Sequence, residues 1–149
     1  MRAVVQRVSG CRVTVNGRQV SRIAAGLLAL LGIEQGDTEQ DIGYMVRKIS
    51  ALRVFDDTEG KLNLSLGEVG GELMLVSQFT LLGDARKGNR PGFSRAMTGE
   101  EARHLYERAL QAFRREGMPV AGGAYGEHMR LELTNDGPVT VLLDSRGVF

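Results

Sequence analysis

The chain has 149 residues, 42% of them hydrophobic and 25% charged, with a formal net charge of +1. That balance fits a single globular domain spanning residues 1–149. It excludes a protein that grips a long nucleic-acid duplex, which carries a basic excess, and no apolar run approaches the ~18 residues of a membrane span.

The opening residues lack the apolar stretch and small-residue cleavage site of a secretory signal. Cys11 is the only cysteine, so no intramolecular disulfide can form, and a cytoplasmic location is expected.

Taken along the chain, residues 3–8 form a strand-sized apolar run, and Cys11, Val13 and Val15 alternate with Arg12, Thr14 and Asn16 as in a half-buried strand. Asn16-Gly17 marks a tight hairpin, because both residues accept positive φ, and residues 18–23 return. Gly26 interrupts that strand, and residues 27–33 read as a buried central one. Thr38-Glu39-Gln40-Asp41 is a capping-box variant, and Ile42, Met45, Val46, Ile49 and Leu52 follow at helical spacing. Residues 53–55 suggest a short strand and 56–63 a turn-rich stretch reversing at Glu59-Gly60. Residues 73–77 form a further strand, entered through Gly70-Gly71. A polar loop, 83–94, holds Arg86, Lys87, Arg90 and Pro91. Thr98-Gly99-Glu100-Glu101 caps a second helix with Ala102, Leu105, Tyr106, Ala109 and Phe113 inward, ended by Gly117 and Pro119. Two final strands, 129–133 and 139–143, are joined by a turn at Asn135-Asp136-Gly137-Pro138. The pattern predicts an α+β fold: a mainly antiparallel sheet with barrel-like curvature and two main helices packed outside.

Much standard chemistry is missing. No His/Cys/Asp/Glu group has metal-ligand spacing, so no metal is expected. No Walker loop or GxGxxG follows a strand, no GxSxG elbow occurs, and no cofactor is expected. The two histidines are His104, in a charged helix where solvation explains it, and His128, beside Met129 at the start of a strand. Two segments stand out. Ser77-Gln78-Phe79-Thr80-Leu81 closes a strand, where polar residues often only satisfy free backbone groups. Asn135-Asp136-Gly137-Pro138-Val139-Thr140 also works as a plain turn.

Together the two segments resemble the paired motifs of bacterial D-aminoacyl-tRNA deacylases. The resemblance extends to Ala3-Val4-Val5-Gln6-Arg7-Val8, Ala25-Gly26-Leu27-Leu28, Phe55-Asp56, Gly60-Lys61-Leu62-Asn63, Arg90-Pro91-Gly92-Phe93-Ser94 and Gly123-Ala124-Tyr125-Gly126-Glu127-His128-Met129. Tyr125 stands where phenylalanine is more usual.

The resemblance implies a homodimer that hydrolyses the ester of D-aminoacyl-tRNA, and of mischarged glycyl-tRNA, while sparing L-aminoacyl-tRNA. It implies that a cis Gly137-Pro138 peptide of one subunit enters the other's site and sterically rejects an L side chain, with Arg7 bracing that loop. Backbone N–H groups around Phe79 and Thr80 would hold the ester oxygen, and Ser77 and Gln78 would shape the pocket. Tyr125 and Met129 would line the place of the tRNA's terminal adenosine. Arg86, Lys87, Arg90 and Arg95 would meet acceptor-stem phosphates, although a solvated loop explains them equally. Thr80 is the nucleophile by residue type but lacks an evident base, and the substrate's own 2′-hydroxyl is the helper the family favours. Three alternatives stay open: an esterase with Thr80 or Ser77 as nucleophile and His128 as base, a non-catalytic RNA-binding module, and a related deacylase with a trans Gly-Pro bond.

Overall fold

The computed structural model describes residues 1–148. Its spine is β1 (Arg2–Val15). Along one edge of β1 runs the whole of β8 (Met129–Asp144), antiparallel. Along the other edge, β3 (Gly26–Gly32) pairs with the first half of β1 and β2 (Arg18–Ile23) with the second, both antiparallel. Beyond β3 the direction changes. β6 (Glu72–Ser77) lies parallel to β3, and β7 (Val120–Gly122) lies parallel to β6. β4 (Phe55–Asp56) and β5 (Leu62–Leu64) make a separate small ribbon.

The sheet is thus mainly antiparallel, as the sequence suggested, and the parallel pairings of β6 and β7 at one edge make it mixed rather than purely antiparallel. Apolar periodicity reports which face of a strand is buried but carries no sign of the partner's direction. The expected hairpin at Asn16 and Gly17 is present, with φ of 50° and 76°. The two expected final strands are one continuous β8. Its Asn-Asp-Gly-Pro stretch does not end the strand, because β1 pairs with β8 on both sides of it.

Two helices cover one face of the sheet. α1 (Glu39–Ala51) opens on the predicted capping box: the Thr38 side chain accepts from the Gln40 N–H at 3.3 Å, and Asp41 accepts from the Thr38 N–H at 2.8 Å. α2 (Gly99–Arg115) has Thr98 at its N-cap position, but the Thr98 side chain makes no capping bond. Its Glu100 and Glu101 at the start and Arg114 and Arg115 at the end match the helix dipole instead. Between helices and sheet, Ile42, Met45, Ile49, Leu105, Tyr106 and Phe113 pack on Ala3, Val5, Leu27, Ala29, Leu31, Leu73 and Leu75.

A smaller core fills the concave face, where the sheet curls into a nearly closed barrel. It gathers Val8, Cys11, Val13, Ile23, Leu28, Met74 and Val76, with Met129, Leu131 and Leu133 against it. Cys11 is 3% exposed there, and burial pushes its thiol pKa up.

Candidate active site

β6 is fully buried from Leu73 to Val76 and emerges at Ser77 and Gln78, both half-buried. The Gln78 N–H donates to the Leu31 carbonyl at 2.8 Å, the last rung against β3. The chain then turns through a short 3₁₀ segment, Phe79–Leu82, closed by the Gly83 N–H donating to Thr80 O at 3.0 Å. Among the described residues no acceptor engages the N–H of Phe79 or Thr80, so two neighbouring donors stand open at the strand end. The Phe79 ring is half exposed and meets Phe93 edge-on at 5.2 Å. The Thr80 hydroxyl is exposed and accepts from the Gln78 side-chain amide.

Ser77, Gln78 and Phe79 are shared by two adjoining cavities. One, of about 380 Å³, is completed by Leu31, Met97, the start of α2 and Tyr125. There the Arg103 guanidinium lies 5.3 Å from the Tyr125 ring centre, and the Tyr125 hydroxyl donates to Gly99 O at 3.3 Å. Burial raises the Tyr125 phenol's pKa, and the Arg103 charge works against that rise. Behind it, the Tyr106 hydroxyl donates to Leu75 O at 2.7 Å and accepts from the Gly123 N–H at 3.1 Å. Burial pushes the Tyr106 phenol up to about 12. The second cavity, of about 330 Å³, is lined by Glu127, His128 and Met129 as well. The Met129 sulfur accepts from the Ala124 N–H at 3.3 Å. Tyr125 and Met129, expected to share one pocket, thus sit in neighbouring pockets joined at Ser77–Phe79. Met97, Thr98, Glu100 and Arg103 were missed by sequence reasoning. Their only signal was position: the start of a helix that follows a loop next to the SQFTL segment.

The second motif is built differently. Between the pairs Gln6↔Thr140 and Val8↔Asn135, β1 advances two residues while β8 advances five, so β8 bulges outward. Asn135 closes the bulge, its Oδ1 accepting from the Val139 N–H at 3.1 Å and its Nδ2 donating to Thr140 Oγ1 at 3.0 Å. Arg7, 7% exposed, braces it from below: Nε donates to Asp136 O at 3.0 Å and a terminal nitrogen donates to Val54 O at 2.8 Å. The carboxylates of Asp56 and Asp136 flank the guanidinium at 3.4 and 3.5 Å. The Gly137-Pro138 peptide is cis, and Gly137 has φ +129°. Gly137 and Pro138 are exposed and line neither of the cavities at Ser77–Phe79. Within one chain the two motifs share no cavity and no hydrogen bond.

The loop cations are only partly free. Arg86 clasps Asp84 through Nε at 2.9 Å and a terminal nitrogen at 2.5 Å, which holds the Asp84 carboxyl well below the usual range. Arg95 is tied to the buried Glu34 at 2.5 Å. Lys87 and Arg90 are exposed and make no ion pair among the described residues. His104 is exposed on α2, as the solvation reading held. No metal-binding group of side chains occurs among the described residues, and none of their helices is long and apolar enough to cross a membrane.

Residues 4–144 match the model of the family described as D-Tyr-tRNA(Tyr) deacylase. This chain belongs to that family. It is 53% identical over 150 residues to the D-aminoacyl-tRNA deacylase of Natranaerobius thermophilus, covering 100% of both chains. It is 54% identical over 147 residues to that of Myxococcus xanthus, covering 99% of this chain and 96% of the relative. Among solved structures, a c-Myc DNA Unwinding Element Binding Protein superposes with TM-score 0.92 and 44% identity, covering 97% of this chain and 98% of the other. A probable eukaryotic D-amino acid tRNA deacylase, 20% identical, shares the fold with TM-score 0.77, covering 95% of this chain and 97% of the other.

Proposed function

We propose that this member of the deacylase family hydrolyses the ester between a D-amino acid and the 3′ end of tRNA, as a cytoplasmic homodimer of single-domain subunits. One observation carries the reading: the motif residues at 77–79 border cavities of their own chain, while the motif at 137–138 is an exposed, braced projection bordering neither of them. A projection of that kind suits a second subunit's pocket.

In the proposed reaction the ester carbonyl sits at the open N–H groups of Phe79 and Thr80, which stabilise the oxyanion as water adds. The acyl–oxygen bond then breaks, the ribose oxygen takes the proton, and the D-amino acid leaves as its acid. Ser77 and Gln78 shape the acyl pocket, and Tyr125 and Met129 offer flat or soft surfaces to the terminal adenosine. Lys87 and Arg90, with Arg86 once released from Asp84, reach toward acceptor-stem phosphates. The Gly137-Pro138 backbone of the partner subunit forms a wall that an L side chain strikes and a D side chain avoids. Glycine has no Cβ to strike it, so glycyl-tRNA is a side substrate. Thr80 needs no base here, because the substrate's 2′-hydroxyl orients the water.

A second reading draws on one shared cavity: His128 and Ser77 both line it, although no hydrogen bond joins them. Deacylation of D-Tyr-tRNA, L-Tyr-tRNA and Gly-tRNA by the wild type and by Thr80→Ala, Ser77→Ala and His128→Ala tests both. The proposal expects cleavage of the D and glycyl esters, sparing of the L ester, and activity of Thr80→Ala within about threefold of wild type. A drop of about 10³-fold in both Ser77→Ala and His128→Ala transfers the chemistry to that pair.

A further inference from the structure

A cavity of about 510 Å³, larger than either pocket at Ser77–Phe79, lies elsewhere, over residues 9–12 of β1 and bordered by Gln19, Arg22, Glu132 and Thr134. Its floor is a fault in the sheet. Ser9 has no partner in any ladder register, and above Gly10 the nearest atom to an added Cβ would be 3.8 Å away. Arg12 and Arg22 stand directly opposite each other across the β1–β2 ladder. Like charges in that position cost stability unless an anion lies between them. Glu132, opposite Arg12 on β8, takes one of them in an exposed ion pair. Such pairs are weak and readily exchanged. Arg22 makes no ion pair among the described residues. On the same face, Arg130 lies opposite Thr14, one row further. The face therefore carries three arginines against one glutamate, in a chain whose net charge is only +1.

The groove also has an address. Thr134 on its rim is three residues from Gly137 in β8, at most about 11 Å of chain. We infer that the Arg12–Arg22 groove binds a backbone phosphate of the tRNA whose aminoacyl end lies in the opposite subunit's pocket. This rests on the reading that Gly137-Pro138 faces the aminoacyl group in trans. If it does, the groove on the same subunit faces the last phosphodiesters beside that ester. One subunit then holds the terminal nucleoside while the other, besides screening handedness, clamps the strand. Arginine suits this task because its planar fork matches phosphate oxygens.

The test uses the dimer as purified, with Arg12→Ala/Arg22→Ala and the milder Arg22→Lys. Two substrates are compared, D-Tyr-tRNA and 3′-O-D-tyrosyl-adenosine, which has no phosphodiester. Binding of uncharged tRNA is followed separately against salt. The expected result is a KM for D-Tyr-tRNA raised about tenfold at unchanged kcat, and a salt slope for tRNA binding lower by about one for each phosphate no longer held. The adenosine ester is then cleaved as by the wild type, and Arg22→Lys falls between. An unchanged KM and salt slope overturns the inference, as does an equal loss on both substrates, which places the effect in the fold. Equal affinity of the groove for a DNA duplex also overturns it. Should the wild type cleave no D-ester while the double variant still loses tRNA affinity, the deacylase reading fails and the phosphate groove stands.

Discussion

The segments at 77–80 and 135–140 are both short and polar, one at the end of a strand and the other at a bulge within one, yet they are held by opposite means. The first ends a strand buried on both faces, and its backbone is fixed by the sheet, with the last rung made by Gln78 to Leu31. The second lies in β8, whose residues are exposed or half-buried until Leu143, and depends on two side chains, Arg7 and Asn135. A concave feature can borrow its rigidity from the core around it. A convex one must carry its own brace, and here one buried guanidinium supplies most of it.

Arg7→Ala is the sharpest way to break that contrast. It removes two charge-assisted hydrogen bonds, and the expected loss is about 3 kcal/mol of stability in urea melts. D-ester hydrolysis should fall about 100-fold even well below the melting range. An Arg7→Ala protein that is less stable yet fully active would show that the bulge needs no brace.

Gly137→Ala probes the same region with a smaller expected effect. The φ of +129° is foreign to alanine, and its Cβ would lie 2.8 Å from Val139 Cγ2. Strain of about 1–3 kcal/mol should appear as roughly a tenfold or greater drop in kcat/KM for D-Tyr-tRNA, with Tm little changed if the exposed bulge simply shifts. Retained rate with cleavage of the L ester would instead locate the chiral filter at this Cβ-free surface.

On the pocket side, Tyr106→Phe removes the hydroxyl that bridges Leu75 and Gly123. The expected cost is about 1 kcal/mol in denaturant unfolding, with D-ester hydrolysis within about threefold, because the sheet still fixes Ser77 and Gln78. A larger loss of activity than of stability would mean that the pocket, like the bulge, hangs on one side chain.

The sequence made the local features legible. Thr38 and Asp41 announce α1, Asn16-Gly17 announces the first hairpin, and the inward residues of α2 are those its spacing marks. What stayed hidden depends on distant partners. β7 has only Val120, Ala121 and Gly122, too few side chains for a pattern, and exists because β6 offers a parallel edge. Asn135–Pro138 carries a strong turn signal that long pairing with β1 overrides. For the site, the two motifs were visible as wording, but their separation within one chain was not. Nor was the engagement of Arg86 by Asp84 and of Arg95 by Glu34, which halves the loop charge that composition promised.

The lone cysteine has a practical consequence for watching two copies meet. Cys11 is shut inside the smaller core, and its burial disfavours the thiolate that reacts with labels. Thr134→Cys, at an exposed position beside the bulge, would therefore create a single addressable handle without any native thiol having to be removed. A fluorophore on that handle would report, in one spectrum, whether the projection leaves water for the surface of another subunit as proposed.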